Sequence, residues 1–163
     1  MSSKDIVTPN LKLVIESLEG THARINAMPD ADKSELSPAW LALLDSAKEE
    51  DPWILGFNMV LRDENVIVGQ CGFKGPPTPA GMVEIAYGVE PTKQGNGYAT
   101  EAAEALTNFA FQNKEVRLVR AHTLPEANAS TRVLTKCGFR HLGEVIDPDD
   151  GLVWRWERCR EEA

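Results

Sequence analysis

Apolar positions alternate with polar ones along some stretches of the chain and recur at helical spacing along others. Residues 11–18 alternate well enough for an opening strand. Helical stretches follow at 20–27 and 37–49. In the second, Ser37 can cap, Pro38 suits the first turn, and Trp40, Leu41, Leu43 and Leu44 supply an apolar face. Residues 53–61 and 66–73 read as a hairpin around Asp63, Glu64 and Asn65. The proline-rich segment 75–81 cannot pair inside a sheet and is expected as a loop, either a rigid connection or a wall of an acceptor site. A strand over 82–90 stops at Pro91. Residues 98–114 then place Ala99, Ala102, Ala103, Leu106, Phe109 and Ala110 on one helical face. A strand over 117–124, a short helix over 129–137 ended by a left-handed Gly138, and an antiparallel pair over 139–146 and 152–157 complete the pattern. The expected class is mixed α/β.

No repeat or linker interrupts this order, and 163 residues suffice for one continuous core. One domain over 1–163 is expected, with its core at about 11–157. The composition, 42% apolar and 26% charged, is that of an ordinary globular protein. A formal charge of −8 argues against phosphate-driven nucleic-acid binding and weakly favours cationic partners such as amines. Cys71, Cys137 and Cys159 are odd in number and lack metal-ligand spacing, so reduced thiols and no metal are expected. The first five residues lack the apolar run of a signal peptide, and no segment approaches the roughly 20 apolar residues of a membrane span. A cytoplasmic protein with no membrane partner is expected, and a homodimer is left open.

The chemistry concentrates where the strand over 82–90 meets the helix beginning near Tyr98. The intervening turn contains Gly95 and Gly97. The first amides of a helix lack internal partners, and its dipole adds partial positive charge there. Glycines let that backbone approach a bulky anion, so the turn suits a pyrophosphate. A purely structural turn would read the same way. A dinucleotide fingerprint would need a third glycine where Thr100 stands, and a P-loop would need Lys followed by Ser or Thr after the second glycine. Neither pattern is met.

The arrangement Gln94-x-x-Gly97-x-Ala99 resembles the acyl-CoA-binding motif of the Gcn5-related N-acetyltransferase superfamily. Residues 84–87 with 95–102 are similar to the subgroup of ribosomal-protein N-terminal acetyltransferases (RimJ/RimL-like). Residues 128–139, an Asn-Ala-Ser helix ending in Lys-Cys-Gly-Phe, resemble that subgroup's second motif. The resemblance spans nearly the whole chain. It implies a twisted, mostly antiparallel sheet of about six or seven strands, with helices on both faces and a parallel pair, 82–90 and 117–124, that splays apart. It also implies acetyl-CoA as co-substrate, with the pantetheine arm in the splay near Tyr87 and Val89. Gln94, Gly95, Asn96, Gly97, Tyr98, Ala99 and Thr100 would hold the pyrophosphate, Asn128 would reach the pantetheine amides or cap its helix, and Lys93 could approach a phosphate.

Superfamily members transfer the acyl group by direct attack of an amine, with no acyl-enzyme. The resemblance therefore makes Glu84 the candidate general base, with a backbone amide near Ala86 or Tyr87 facing the oxyanion. A solvent-facing carboxylate is the alternative for Glu84. Tyr87, as a phenolic proton donor, and Ser130, as a donor to the thiolate, are weaker catalytic candidates, with ring packing and helix capping or packing as their respective alternatives. His122 could tune Glu84 or be a structural histidine. Trp154 and Trp156 share a face and are expected in the core. The acidic turn 147–150 could attract a cationic acceptor. Two departures from the subgroup stand out: its Asn sits one residue closer to Ser130, and its helix lacks the tyrosine that many members use as general acid. These features keep open a CoA-binding regulatory module without turnover. The acceptor, an amine-bearing small molecule, a lysine or a protein N-terminus, is not legible.

Overall fold

The computed structural model describes residues 5–160. Eight strands form one sheet in the order β1-β2-β3-β4-β5-β6-β8-β7. They are β1 Ile6–Val7, β2 Leu11–Ile15, β3 Phe57–Leu61, β4 Val66–Phe73, β5 Met82–Val89, β6 Leu118–Thr123, β7 Arg140–Asp147 and β8 Gly151–Cys159. Helices α1 Leu18–Asn26, α2 Asp30–Lys33 and α3 Pro38–Asp45 fill the connection from β2 to β3. Helix α4 Tyr98–Phe111 joins β5 to β6, and α5 Ala129–Lys136 leads from β6 to β7. Neighbouring strands are antiparallel except β5 and β6. A parallel pair requires a long crossover, which α4 supplies.

Side-chain alternation sorts the sheet into two faces. Leu11, Leu13, Phe57, Met59, Val83, Ile85, Val119 and Ala121 are buried on one, and α4 lies against β2, β4 and β5. The buried stripe of α4 is mostly small, Ala102, Ala103, Ala105 and Ala110 around Leu106, which lets the helix sit close to the strands. Trp53, Phe73 and Phe109 close the core with ring centroids 4.7, 5.8 and 5.9 Å apart. At Gly69 a Cβ would lie 2.2 Å from the Gly88 carbonyl oxygen, so only glycine lets β4 run this close to β5.

The expected elements are present with shifted ends. The strand expected from Trp53 begins only at Phe57. Asp51 turns the chain first: its carboxylate accepts from the Trp53 amide at 3.0 Å and its carbonyl from the Leu55 amide at 2.9 Å. Trp53 and Ile54 are thus packed through a turn, not a ladder. The sheet exceeds the expected six or seven strands by including the two-residue β1, and α2 is a single turn with no apolar face of its own. Gly138 has φ +81°, the left-handed stop expected after α5. No described helix is long and apolar enough to cross a membrane.

Glu101, in the first turn of α4, ties that helix to the β1–β2 turn. Its carboxylate accepts from the Thr8 hydroxyl, from the Asn10 amide at 2.7 Å and from Asn10 Nδ2 at 3.1 Å. Partial burial opposes the charge, but these bonds outweigh it and hold the carboxyl below its ordinary value. A depressed native pKa adds stability that is full above the unfolded value, about 4.3, and is lost as pH falls through the folded one. Glu101→Gln should lower the unfolding free energy in urea by about 1 kcal/mol at neutral pH, a modest figure because solvent reaches the group. The gap between the two proteins should close as pH falls through the depressed folded-state value of Glu101.

Candidate active site

The parallel pairing of β5 with β6 runs from Met82–Leu118 to Ile85–Ala121 and then stops, although β5 continues to Val89 and β6 to Thr123. Each strand follows its other neighbour. Val89 still pairs with Gly69 of β4, while His122 and Thr123 pair with Arg155 and Trp154 of β8. The two strands therefore diverge, as expected, and leave a cleft beyond Ile85. Half-buried Tyr87 reaches from β5 toward α5, where its hydroxyl donates to the Ser130 carbonyl at 3.3 Å. Burial pushes its phenol up to about 12.

Beyond β5, one 3-10 turn at Pro91–Lys93 leads into the glycine turn. Gly95 and Gly97 adopt φ of +83° and +81°, and a Cβ on either would meet nothing within 4 Å. These glycines answer a backbone requirement, not crowding. The side chains of Gln94 and Asn96 fold onto the turn: Gln94 Nε2 donates to the Val89 carbonyl at 3.1 Å and Asn96 Nδ2 to the Lys93 carbonyl at 3.0 Å. Gly97 at the N-cap offers no side-chain cap. Among the described residues, the amides of 95–100 donate to no protein acceptor, at the positive end of a 14-residue helix. The turn is open to solvent and has the groups to hold a pyrophosphate.

On the sheet face away from the core, Glu84 joins groups that lie far apart in sequence. Lys74, just past β4, donates its amide to the Glu84 carbonyl, and its Nζ lies 2.9 Å from Glu84 Oε2 and 2.9 Å from Asp150 Oδ2. Burial works against the Lys74 charge, but Glu84 and Asp150 outweigh it and raise its pKa. His122, whose side chain is only 4% exposed, holds Nδ1 at 3.3 Å from Glu84 Oε2 and 3.8 Å from Asp147 Oδ1, aligned for a hydrogen bond with neither. Its Nε2 accepts from Arg155 Nε at 3.1 Å. Burial again opposes the charge of Asp147, yet the amides of Asp150 and Asp149, with the Lys74 ammonium nearby, bring its pKa below the usual range.

Glu84, His122 and Asp147 together have the makings of a cation site. The Arg155 bond decides against that use, because a ring accepting at Nε2 carries its proton on Nδ1. The trio is offered an N–H, not a lone pair.

Glu84, Lys74, Asp147 and Asp150 line one end of a cavity of about 860 Å³, whose floor includes Gly72, Ala86 and Gly88 and whose far wall includes Ser37 and Trp40. The absence of large side chains along the floor opens the space beside Glu84. Arg24 and Lys74 are the cavity's cations, and both are engaged by carboxylates, Arg24 by Glu16 at 3.0 Å.

Other sequence candidates lie at α5 and on β8. Asn128 caps α5, with Oδ1 accepting from the Thr131 amide at 3.1 Å, and Ser130 sits in that helix's first turn. Trp156 is buried and donates to Thr123 Oγ1 at 3.1 Å, and the His141 ring lies 4.5 and 4.7 Å from Trp154 and Trp156. Burial pushes the thiols of Cys71 and Cys137 up to about 12 and about 11, so neither is a ready nucleophile. Lys74 and Arg155 carried no signal in the sequence, since only strand register brings them to Glu84 and His122.

The geometry agrees with comparisons to known proteins. Residues 14–140 match the model of the acetyltransferase (GNAT) domain. An uncharacterized N-acetyltransferase of Bacillus subtilis, YjdG, is 32% identical over 114 residues, covering 68% of this chain and 66% of that protein. Matches to further curated relatives span about half of each relative's length, 51%. Among solved structures, a putative ribosomal-protein-serine acetyltransferase from Vibrio cholerae aligns over 96% of this chain and 97% of its own, with a TM-score of 0.69 at 16% identity. RimL, a ribosomal L7/L12 α-N-protein acetyltransferase in complex with coenzyme A, aligns over 95% and 97%, with a TM-score of 0.69 at 14% identity. The splayed strands, the open amide turn and the family match lead to one assignment: the chain belongs to the GNAT acetyltransferase family.

Proposed function

We propose that this chain, acting as one domain, transfers an acetyl group from acetyl-CoA to a primary amine by direct attack, with both substrates bound. The observation that carries the reading is the row of unpartnered amides at 95–100 beside a cleft that opens one residue past Glu84–Ile85. Those amides, with no side-chain cap competing at Gly97, suit the diphosphate. Backbone groups of β5 beyond Ile85, near Tyr87 and Val89, have no partner in β6 and suit the pantetheine amides. RimL, with the same fold, has been solved with coenzyme A bound.

In this reading the acceptor nitrogen attacks the thioester carbonyl, the oxyanion meets a backbone amide near Ala86 or Tyr87, and the C–S bond breaks as the amide forms. The nitrogen's proton passes to Glu84, directly or through a water, and a proton must reach the departing thiolate. Tyr87 and Ser130 border the cleft as candidates for that step, although the Tyr87 proton is engaged by the Ser130 carbonyl. The acceptor is an amine-bearing small molecule or a protein N-terminus. The carboxylates of the cavity, its own cations already paired, favour an acceptor that stays positively charged away from its reacting nitrogen.

Two experiments test this. Glu84→Gln should slow thiol release by about 10²- to 10⁴-fold at neutral pH for an alkyl amine acceptor, and by much less near pH 10, where the amine loses its proton unaided. A loss independent of pH would remove Glu84 from the base role. Replacing Gly95 and Gly97 together by Ala should weaken acetyl-CoA binding in calorimetry at least about tenfold. The fold should survive, because the added methyls meet no protein atoms and cost about 1–2 kcal/mol each in backbone strain. Undiminished affinity would sink the cradle assignment.

A further inference from the structure

We propose that Arg155 is a positioning residue that, through one hydrogen bond, holds His122 in the Nδ1–H tautomer and so aims a neutral donor at Glu84. The proposal rests on Glu84 being the base, but it is tested below by a property that does not depend on turnover.

The argument begins with strand register. His122 on β6 and Arg155 on β8 are direct partners, so their side chains emerge on the same face. Arg155 Nε lies 3.1 Å from His122 Nε2. A guanidinium only donates, so Nε2 must supply the lone pair and the ring proton must reside on Nδ1. A doubly protonated ring has no lone pair for Arg155, so this bond and a charged imidazole are mutually exclusive. With the side chain 4% exposed, water has little access to replace Arg155. The neighbouring pair, Arg120 Nη2 to Glu157 Oε2 at 2.7 Å, already engages the next cation and the next carboxylate on the same two strands, leaving Arg155 to His122.

Nδ1–H then faces Glu84 Oε2 at 3.3 Å and Asp147 Oδ1 at 3.8 Å, aligned with neither. A donor poised between two carboxylates can turn to whichever carries charge. It steadies Glu84 while Glu84 is ionised and swings to Asp147 once Glu84 has taken the amine proton. Because it is neutral, it adds no second cation beside Lys74, whose Nζ already lies 2.9 Å from Glu84. Arg155 thereby acts on the reaction through His122, without touching either substrate.

The test is long-range ¹H–¹⁵N correlation NMR of the imidazole nitrogens at neutral pH in the full chain. Its three histidines, His22, His122 and His141, are distinguished by His122→Gln. The expected wild-type spectrum has a protonated Nδ1 and a lone-pair Nε2 for His122, the reverse of the tautomer that free imidazole side chains favour in water. Arg155→Met should move His122 to the Nε2–H form or to a mixture and lower kcat about ten- to a hundredfold with KM for acetyl-CoA unchanged. Arg155→Lys, which still offers a donor, should retain the Nδ1–H form and recover part of kcat. A wild-type His122 that is protonated at Nε2, or an Arg155→Met spectrum identical to wild type in a folded protein, overturns the proposal even if Glu84→Gln is inactive. The predicted tautomers combined with a fully active Glu84→Gln would instead fault the base assignment alone.

Discussion

The site depends on a competition for partners between two strands. β5 is bound on one side by β4 along its C-terminal half, and β6 is bound by β8 to its end. Each of those antiparallel ladders outlasts the parallel one between β5 and β6, which stops at Ile85–Ala121. Where it stops, main-chain groups face a cleft instead of a neighbour. Unpaired backbone groups in a sheet interior are costly unless solvent or a ligand satisfies them. A slot of this kind therefore suits an extended, amide-bearing ligand such as a pantetheine arm.

The same economy governs the turn before α4. Side chains that could have capped the helix are directed elsewhere: Gln94 and Asn96 brace carbonyls of the turn, and Gly97 has no side chain to offer. The turn is thus stiffened from outside while its amides stay free. Glu101 secures the helix at the same end by binding Thr8 and Asn10, so the helix N-terminus is anchored to the sheet without its own donors being used. Rigidity and availability, which usually conflict at a helix N-terminus, are separated among different residues.

Charge on the far face follows a comparable logic. Glu84 sits between a cation, Lys74, and a neutral donor, His122, and the β7–β8 turn closes the arrangement through Asp147 and Asp150. Buried polar groups of this kind must be satisfied together, and their geometry is over-determined by strand register. Pairings across β4–β5 and β6–β8 place Lys74 opposite Glu84 and Arg155 opposite His122, so the network follows from the sheet itself.

Much of this was legible in the chain. Alternation and helical spacing located β2, β4, β5, β6, α4 and α5 to within a few residues, because each carries a continuous apolar stripe that must face the core. The glycine turn and the motif at 94–99 pointed to the acyl-CoA family through local backbone chemistry, which needs no distant partner. The start of β3 was misplaced because Trp53 and Ile54 are apolar like strand residues, while the turn that buries them is made by Asp51. Short β1 and α2 have too few residues for a periodic signal. Glu84, His122 and the acidic turn holding Asp150 could be nominated from sequence, but Lys74 and Arg155 could not, since contacts across 10, 76 and 33 positions depend on register and sheet order. The sequence by itself determined which residues prefer strand, helix and turn, and where a helix begins with free amides. Only the tertiary structure decided which of its charges meet, because Coulomb and hydrogen-bond energies depend on distances of a few ångströms that local preferences do not specify.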